Sequence, residues 1–582
     1  MFSKTLLVLV GLLCQPGLSQ SAPAPVVDLG YAMYQGFYNE TYDINIYRGM
    51  RYAAPPVGKL RWQRPHPPTY NRSQVNQAID YGSQCPQSRE NVPGPSPPVP
   101  SGSEDCLFLN VVAPASKKNL PVMVWIHGGG YGLMNGSIDL SSMMHTNGNS
   151  FITVTLNYRL GAFGFLSSAE VAESGVLNAG IHDMQSALQW VQKYIHLFGG
   201  NPRQVTIAGE SAGGGGTMLL AMAYGGGFNT ALFQGVIASS PYLPTQWEYD
   251  DITPTEFYYQ FADTVGCLTE ETRGEDSIFE CLVSADTVDL QNASSIVSPS
   301  ALYGQWAFIP VTDGTMLQER PISQLVEGGN INGIRILTSN NANEGPAFTP
   351  PDIASESAFR RFLFDTYPRL SEENVTNILA LYSVPADTSS ILADSDGENP
   401  PYSTTNSQFA FGWQQAATNL YAETTFICSS YWLADAFAKK EGGKAWRYQF
   451  SVPPALHSLD LEPMFEPADT TGGGIDEVFR TAFQQLWGNF IVNGDPALTS
   501  VQIDAADHGN IMAAGSGLWQ QWSGLPGESS MLSINMTGGV PANSSSSPPL
   551  EAAFKIAEAT SWEGGRGDRC QLWAELGPWI VA

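Results

Sequence analysis

Six short strand-like runs, each closed by a turn or loop, constrain the fold of this chain more than any other feature of its 582 residues. They are 120–126 (LPVMVWI), 151–156 (FITVTL), 204–208, 235–238, 333–338 and 445–450. Apolar character without alternation is what a strand shows when both of its faces are covered. Helical spacing lies between them, as in 187–198, where Leu188, Val191 and Ile195 share one stripe. Strands that alternate with helices run parallel, with the helices as crossovers. The expected fold class is therefore α/β, a mostly parallel central sheet with helices on both faces. The loops 91–102 (NVPGPSPPVPSG) and 544–549 (SSSSPP) do not divide regions of different composition, and no repeat is visible, so one domain is expected.

The N-terminus reads as a targeting segment. Lys4 precedes the apolar run 6–14 (LLVLVGLLC), which is too short to cross a bilayer, and small residues stand at Gly17 and Ser19. This gives a signal peptide over 1–19 and a single mature domain over 20–582. No later run is long and apolar enough for stable membrane insertion. An exported chain is either secreted or held in a vacuole or another luminal compartment. The balance of 27 Lys+Arg against 55 Asp+Glu, a formal charge of −28, opposes binding to nucleic acid, whose phosphates need a basic face.

Cysteine usage fits export. Cys14 would leave with the signal, and Cys85, Cys106, Cys267, Cys281, Cys428 and Cys570 remain. Six cysteines in an exported chain point to disulfides, with every pairing open on sequence alone. None has CxxC spacing, so no metal site is expected. Glycosylation sequons stand at Asn39, Asn71, Asn135, Asn292, Asn374, Asn535 and Asn543.

The chemistry concentrates where run 204–208 enters Gly209-Glu210-Ser211-Ala212-Gly213. A GxSxG directly after a strand is the pattern of a sharp strand-to-helix turn that exposes a serine hydroxyl at the carboxyl end of a sheet. Upstream, His127-Gly128-Gly129-Gly130 follows another strand, and such a loop can aim backbone N–H groups at a developing oxyanion. A serine nucleophile needs a base and a group to orient it, in the chain order serine, acid, histidine. Only His457 and His508 lie well downstream. His457 follows a strand and a proline loop, whereas His508 sits in the polar stretch DAADHGN. His66, His145, His182 and His196 precede Ser211 and read as structural. Glu344, in NNANEGPAF, stands where a strand-end acid is required; a solvated loop glutamate is the alternative.

These stretches resemble the type-B carboxylesterase family, which includes cholinesterases and fungal lipases of the α/β-hydrolase fold, and fungal secreted carboxylesterases in particular. The resemblance is carried by YRGMRYAAPPVGKLRW (47–62), EDCLFLNV (104–111), HGGGYG from His127, NYRLGAFGFL (157–166), DMQSALQWVQKYIHLFGGNP (183–202), AGESAGG, NEG at Asn343 and LWGNFIVNGDP (486–496). It implies Ser211 as nucleophile, Glu344 as acid and His457 as general base. It further implies an oxyanion hole from Gly129, Gly130 and Ala212, and disulfides Cys85–Cys106, Cys267–Cys281 and Cys428–Cys570. No cofactor is implied, and the partner is a small-molecule ester.

Departures from the family narrow the substrate. The segment between Cys85 and Cys106 has no Trp to hold a quaternary ammonium, which argues against choline esters. It is also short and rich in Pro, Ser and Gly, without an amphipathic lid, which argues against a true lipase. Ser458 follows His457 where the family usually has Gly. The four glycines Gly213–216 are expected to leave extra room at the acyl pocket, and the remaining aromatic residues to fill the core. The leading expectation is a secreted serine ester hydrolase acting through an acyl-enzyme on small or medium esters. Acyl transfer in secondary metabolism uses the same intermediate. A non-catalytic binding protein is disfavoured by the presence of serine, acid and histidine together, and Arg566-Gly567-Asp568 reads as chance.

Overall fold

The computed structural model describes residues 24–95, 98–269, 277–385, 388, 397–465, 477–498, 519–525, 527–537 and 551–580. The expected leader 1–19, Cys14, His508 and Asn543 lie outside the described residues. The described strands are β1 (Val26–Asp28), β2 (Met33–Gln35), β3 (Phe37–Asn39), β4 (Ile44–Arg51), β5 (Val75–Gln77), β6 (Phe108–Pro114) and β7 (Leu120–Ile126). They continue with β8 (Ile152–Leu156), β9 (Gly200–Glu210), β10 (Gly235–Ser239), β11 (Arg335–Asn341), β12 (Lys444–Phe450), β13 (Ser530–Thr537) and β14 (Glu551–Glu558).

Eleven of these form one sheet in the order β14-β13-β12-β11-β10-β9-β7-β8-β6-β4-β3, and β1, β2 and β5 form a small separate one. From β8 to β13 every neighbouring pair is parallel, while the pairs at both edges are antiparallel. The six expected strands are β7 to β12, and they form the parallel centre. Of the antiparallel strands toward the edges, β3 is short and β4 and β14 are interrupted by polar residues, whereas β6 is buried at all but its first position.

Strand β7 shows why its own run is uniformly apolar. Val122, Val124 and Ile126 point into the larger buried cluster, while Met123 and Trp125 point into a second one on the opposite face. The first cluster includes Leu188 and Val191 of helix Ala179–Tyr194 and Leu219 of helix Ala212–Met222; the second includes Phe483, Trp487 and Phe490 of helix Glu477–Asn493. Successive side chains of a strand alternate faces, so a strand between two helical layers can be apolar throughout. This is the α/β arrangement expected from the sequence.

Register sets the site. Ile126 of β7 lies beside Gly209 of β9, Glu210 beside Ser239 of β10, Ser239 beside Ser339 of β11, and Asn341 beside Phe450 of β12. The loops leaving these strands therefore emerge at one carboxyl edge, where α/β sheets place their ligands.

Candidate active site

Ser211 sits between β9 and helix Ala212–Met222 with φ 56° and ψ −125°, a conformation costing a non-glycine residue about 1–3 kcal/mol. Three backbone hydrogen bonds hold it there. Its N–H donates to Ser239 O, and its carbonyl accepts from Tyr242 N and Gly215 N. The flanking glycines are required by space. A Cβ on Gly209 would lie 2.4 Å from the Gly213 carbonyl, and one on Gly213 would lie 2.0 Å from Ile126 O.

Those distances correct the expectation for Gly213–216. A Cβ on Gly214 would meet Ser239 O at 2.4 Å, one on Gly215 would meet Tyr131 Oη at 2.3 Å, and one on Gly216 would meet Met184 Sδ at 2.9 Å. The four glycines let the helix approach the sheet and its neighbours closely. They open no extra room for substrate.

The loop after β7 passes directly beside the serine, since a Cβ on Gly128 would come 3.1 Å from Ser211 Cβ. Gly129 and Gly130 have φ of +95° and +60°, which glycine adopts freely. The N–H groups of Gly129, Gly130 and Ala212 have no hydrogen-bond acceptor among the described residues. His127 stays neutral, its pKa lowered to about 4 by burial, although the hydrogen bond to Gly128 O works the other way.

His457 and Glu344 meet Ser211 across the sheet edge. His457 Nε2 lies 2.8 Å from Ser211 Oγ, and Nδ1 lies 2.5 Å from Glu344 Oε2. A parallel bridge between Asn343 and Leu456 fastens the two loops that carry acid and imidazole. Glu344 is fully buried, and its other oxygen accepts from Ser240 Oγ at 2.6 Å and Asn341 N at 2.5 Å. The carboxylate is thus fixed on both sides. Sequence reasoning misses Ser240 and Asn341; their only signal is their place at the ends of two central strands.

Two further acids surround the imidazole. Glu210, 2 % exposed, places Oε1 3.4 Å from His457 Nε2 and accepts a 2.6 Å hydrogen bond from Ser458 Oγ. Asp460, fully buried, accepts from Ser239 Oγ, Asn341 Nδ2 and Tyr448 Oη. Burial pushes Glu210 up to about 8, opposed by the nearby imidazole and the Ser458 hydroxyl. For His457 burial disfavours the cation, yet Glu210 and then Glu344 outweigh it and raise the pKa to about 9. The arrangement can accept a proton from Ser211 and hold the resulting imidazolium.

Aromatic rings of the larger buried cluster pack against this site. Phe426 lies 4.4 Å and Phe348 5.2 Å from the His457 ring, centroid to centroid. Trp306 packs so closely on the glycine loop that a Cβ on Gly130 would come within 2.2 Å of it. Beyond Trp306 lies a largely apolar cavity of about 230 Å³ lined by Phe165, Trp247, Phe257 and Phe308.

A model of the carboxylesterase family matches residues 23–544. The chain belongs to the carboxylesterase family. It is a carboxylic ester hydrolase of the α/β-hydrolase fold that acts on small-molecule esters. Carboxylesterase patB of Aspergillus clavatus is 28% identical over 544 residues, covering 82% of this chain and 90% of its own. Secreted lipase 4 of Gibberella zeae is 30% identical over 421 residues, covering 70% and 71%. The crystal structure of Aspergillus niger EstA superposes with a TM-score of 0.74 at 26% identity, covering 96% of this chain and 99% of that one.

The other singled-out residues are placed as follows. Three disulfides join Cys85 to Cys106, Cys267 to Cys281 and Cys428 to Cys570. Asn71 and Asn292 are exposed, while Asn39, Asn135, Asn374 and Asn535 are half-buried. Arg566 is buried and donates to Gln449, so Arg566-Gly567-Asp568 is not presented as an adhesive surface. Among the described residues no helix is long and apolar enough to cross a membrane, and no cluster of His, Cys, Asp or Glu could hold a metal ion.

Proposed function

We propose that the protein is exported after loss of residues 1–19, as one hydrolase domain over 20–582, and hydrolyses small or medium carboxylic esters through an acyl-enzyme on Ser211. The observation that carries this reading is the unbroken line from Ser211 Oγ through His457 to Glu344, at 2.8 and 2.5 Å. His457 Nε2 takes the serine proton as Oγ attacks the ester carbonyl. The oxyanion accepts from the free N–H groups of Gly129, Gly130 and Ala212, and Glu344 holds Nδ1–H and stabilises the imidazolium. The imidazolium then protonates the departing alcohol. Water, deprotonated by the same imidazole, releases the acid and restores Ser211.

Trp306 packs directly on Gly130 and so narrows the space beside the proposed oxyanion hole, which supports a small or medium acyl group over a long one. Three disulfides and the relative named a secreted lipase support export, and the exposed sequons at Asn71 and Asn292 are the first candidates for glycans. The test is hydrolysis of p-nitrophenyl esters from acetate to palmitate, with Ser211→Ala alongside. The expected result is activity that declines toward palmitate and falls about 10⁶-fold in the variant. A folded Ser211→Ala protein that keeps a tenth of the rate would overturn the nucleophile, and a maximum at palmitate would overturn the chain-length reading.

A further inference from the structure

Glu210 is a buried acid that the proton relay does not use. Its Oε1 lies 3.4 Å from His457 Nε2, the nitrogen that holds Ser211 Oγ at 2.8 Å. Once Nε2 carries the serine proton, two oxygens therefore compete for one N–H, and a carboxylate is the stronger acceptor. What holds Glu210 back is visible in the geometry. Ser458 Oγ donates to the same Oε1 at 2.6 Å, and the loop at Gly128 closes on Oε2, where an added Cβ would come within 3.2 Å. Ser458 adopts φ +70° in order to do this, a backbone position that favours glycine. A serine in a glycine conformation, with its hydroxyl spent on a buried carboxylate, indicates that the hydroxyl has a task.

We infer that Ser458 is a positioning residue: it fastens the Glu210 carboxylate near enough to His457 to support the imidazolium, but outside hydrogen-bonding reach of Nε2, which is left to Ser211. This rests on the proton relay proposed above. The hydroxyl also favours the ionised form of Glu210, against the burial that raises its pKa. Without it Glu210 takes up a proton more readily. As a neutral acid it supports the imidazolium less, and its own O–H can turn toward the Nε2 lone pair. The charges facing this pair are His457 itself, Glu344 on the loop after β11, and Asp460 on the loop that carries His457. Glu344 and Asp460 are untouched by the substitution.

Ser458→Gly is the decisive variant, because glycine relieves the backbone and removes no more than the CH₂OH group that carries the hydrogen bond, and melting separates a loss of activity from a loss of fold. The experiment measures kcat and KM for p-nitrophenyl butyrate across pH in wild type, Ser458→Gly, Glu210→Gln and the double variant, with thermal melting on each. Glu210→Gln removes a negative charge from beside the imidazole, so its acid limb moves to lower pH. Ser458→Gly is expected to move the limb the same way by on the order of half a unit to one unit and to lower kcat about tenfold, with Tm unchanged or raised. In the Glu210→Gln background the glycine should add no further shift. An acid limb that stays in place in Ser458→Gly, or the same shift in both backgrounds, would sink the inference. Ser211→Ala separates this from the parent reading: an active Ser211→Ala protein overturns the relay, whereas an inactive one beside an unmoved limb overturns Ser458 alone.

Discussion

Replacing Glu344 by Gln changes one atom of a fully buried side chain, and the structure fixes what that atom must do. Glu344 Oε1 accepts two hydrogen bonds, from Ser240 Oγ at 2.6 Å and Asn341 N at 2.5 Å, while Oε2 accepts Nδ1–H of His457 at 2.5 Å. An amide has one oxygen and one NH₂, so it can satisfy only one side. With the oxygen toward Asn341, the NH₂ faces Nδ1 and selects the tautomer whose proton sits on Nε2. That imidazole cannot accept the serine proton. With the amide flipped, NH₂ faces the Asn341 N–H, and a buried donor goes unpaired at about 1–3 kcal/mol. Either way the charge that stabilises the imidazolium is gone. In a comparable serine–histidine relay the equivalent acid-to-amide change lowers kcat about 10⁴-fold. The two orientations here give an expected loss of about 10³ to 10⁴, or about 4–5.5 kcal/mol on the barrier. Stopped-flow or steady-state hydrolysis of p-nitrophenyl acetate measures it, with circular dichroism and melting as the check on folding. A folded Glu344→Gln protein within tenfold of wild type would refute the reasoning and transfer the orienting role to Glu210 or Asp460.

The pH profile tests the electrostatics as a whole. Because Glu210 and Glu344 raise the His457 pKa, and only the neutral imidazole accepts a proton, activity is lost as pH falls through that raised value. The acid limb of kcat/KM should therefore lie above the ordinary histidine value of about 6.5, and a limb below it would show that burial wins. Gly213→Ala should unfold or severely destabilise the protein, by about 3 kcal/mol or more, since its Cβ meets a backbone carbonyl at 2.0 Å. Gly216→Ala meets only the flexible end of Met184 and should be tolerated; denaturation curves in the reverse order would overturn the packing account. Far from the site, Glu423 is fully buried and holds Arg569 through both its oxygens. Burial opposes its charge, but Arg569 and then Arg566 keep its pKa below the usual value. Glu423→Gln should cost about 3–5 kcal/mol in equilibrium denaturation, because it removes the main counter-charge of buried guanidinium groups; a change under about 1 kcal/mol would refute it.

Much of the site is legible in the sequence because α/β chemistry is local along the chain. GESAG follows a strand and opens a helix, and the same glycines that reveal the motif are those whose Cβ atoms would collide. HGGG and NEG likewise each follow a strand. The four-glycine run misleads because openness and close packing call for the same residue, and only the neighbours' coordinates distinguish them. The roles of Ser240, Asn341 and Asp460 are nearly silent in the sequence, where only the strand-end places of the first two hint at them. Each is an ordinary polar residue with side-chain partners 101 to 221 positions away in the chain, beside nearer ones such as Glu344 for the Asn341 N–H and Tyr448 for Asp460.

The sequence by itself determined the fold class and marked the candidates for serine, acid and histidine, because strand burial and turn geometry leave their marks within a few residues. The tertiary structure decided how that chemistry is held and tuned. Strand register brings Ile126, Gly209, Ser239 and Asn341 to one edge, and the loops beyond them place three carboxylates around one imidazole. Proton affinity depends on distance and burial, and neither exists until the chain has closed on itself.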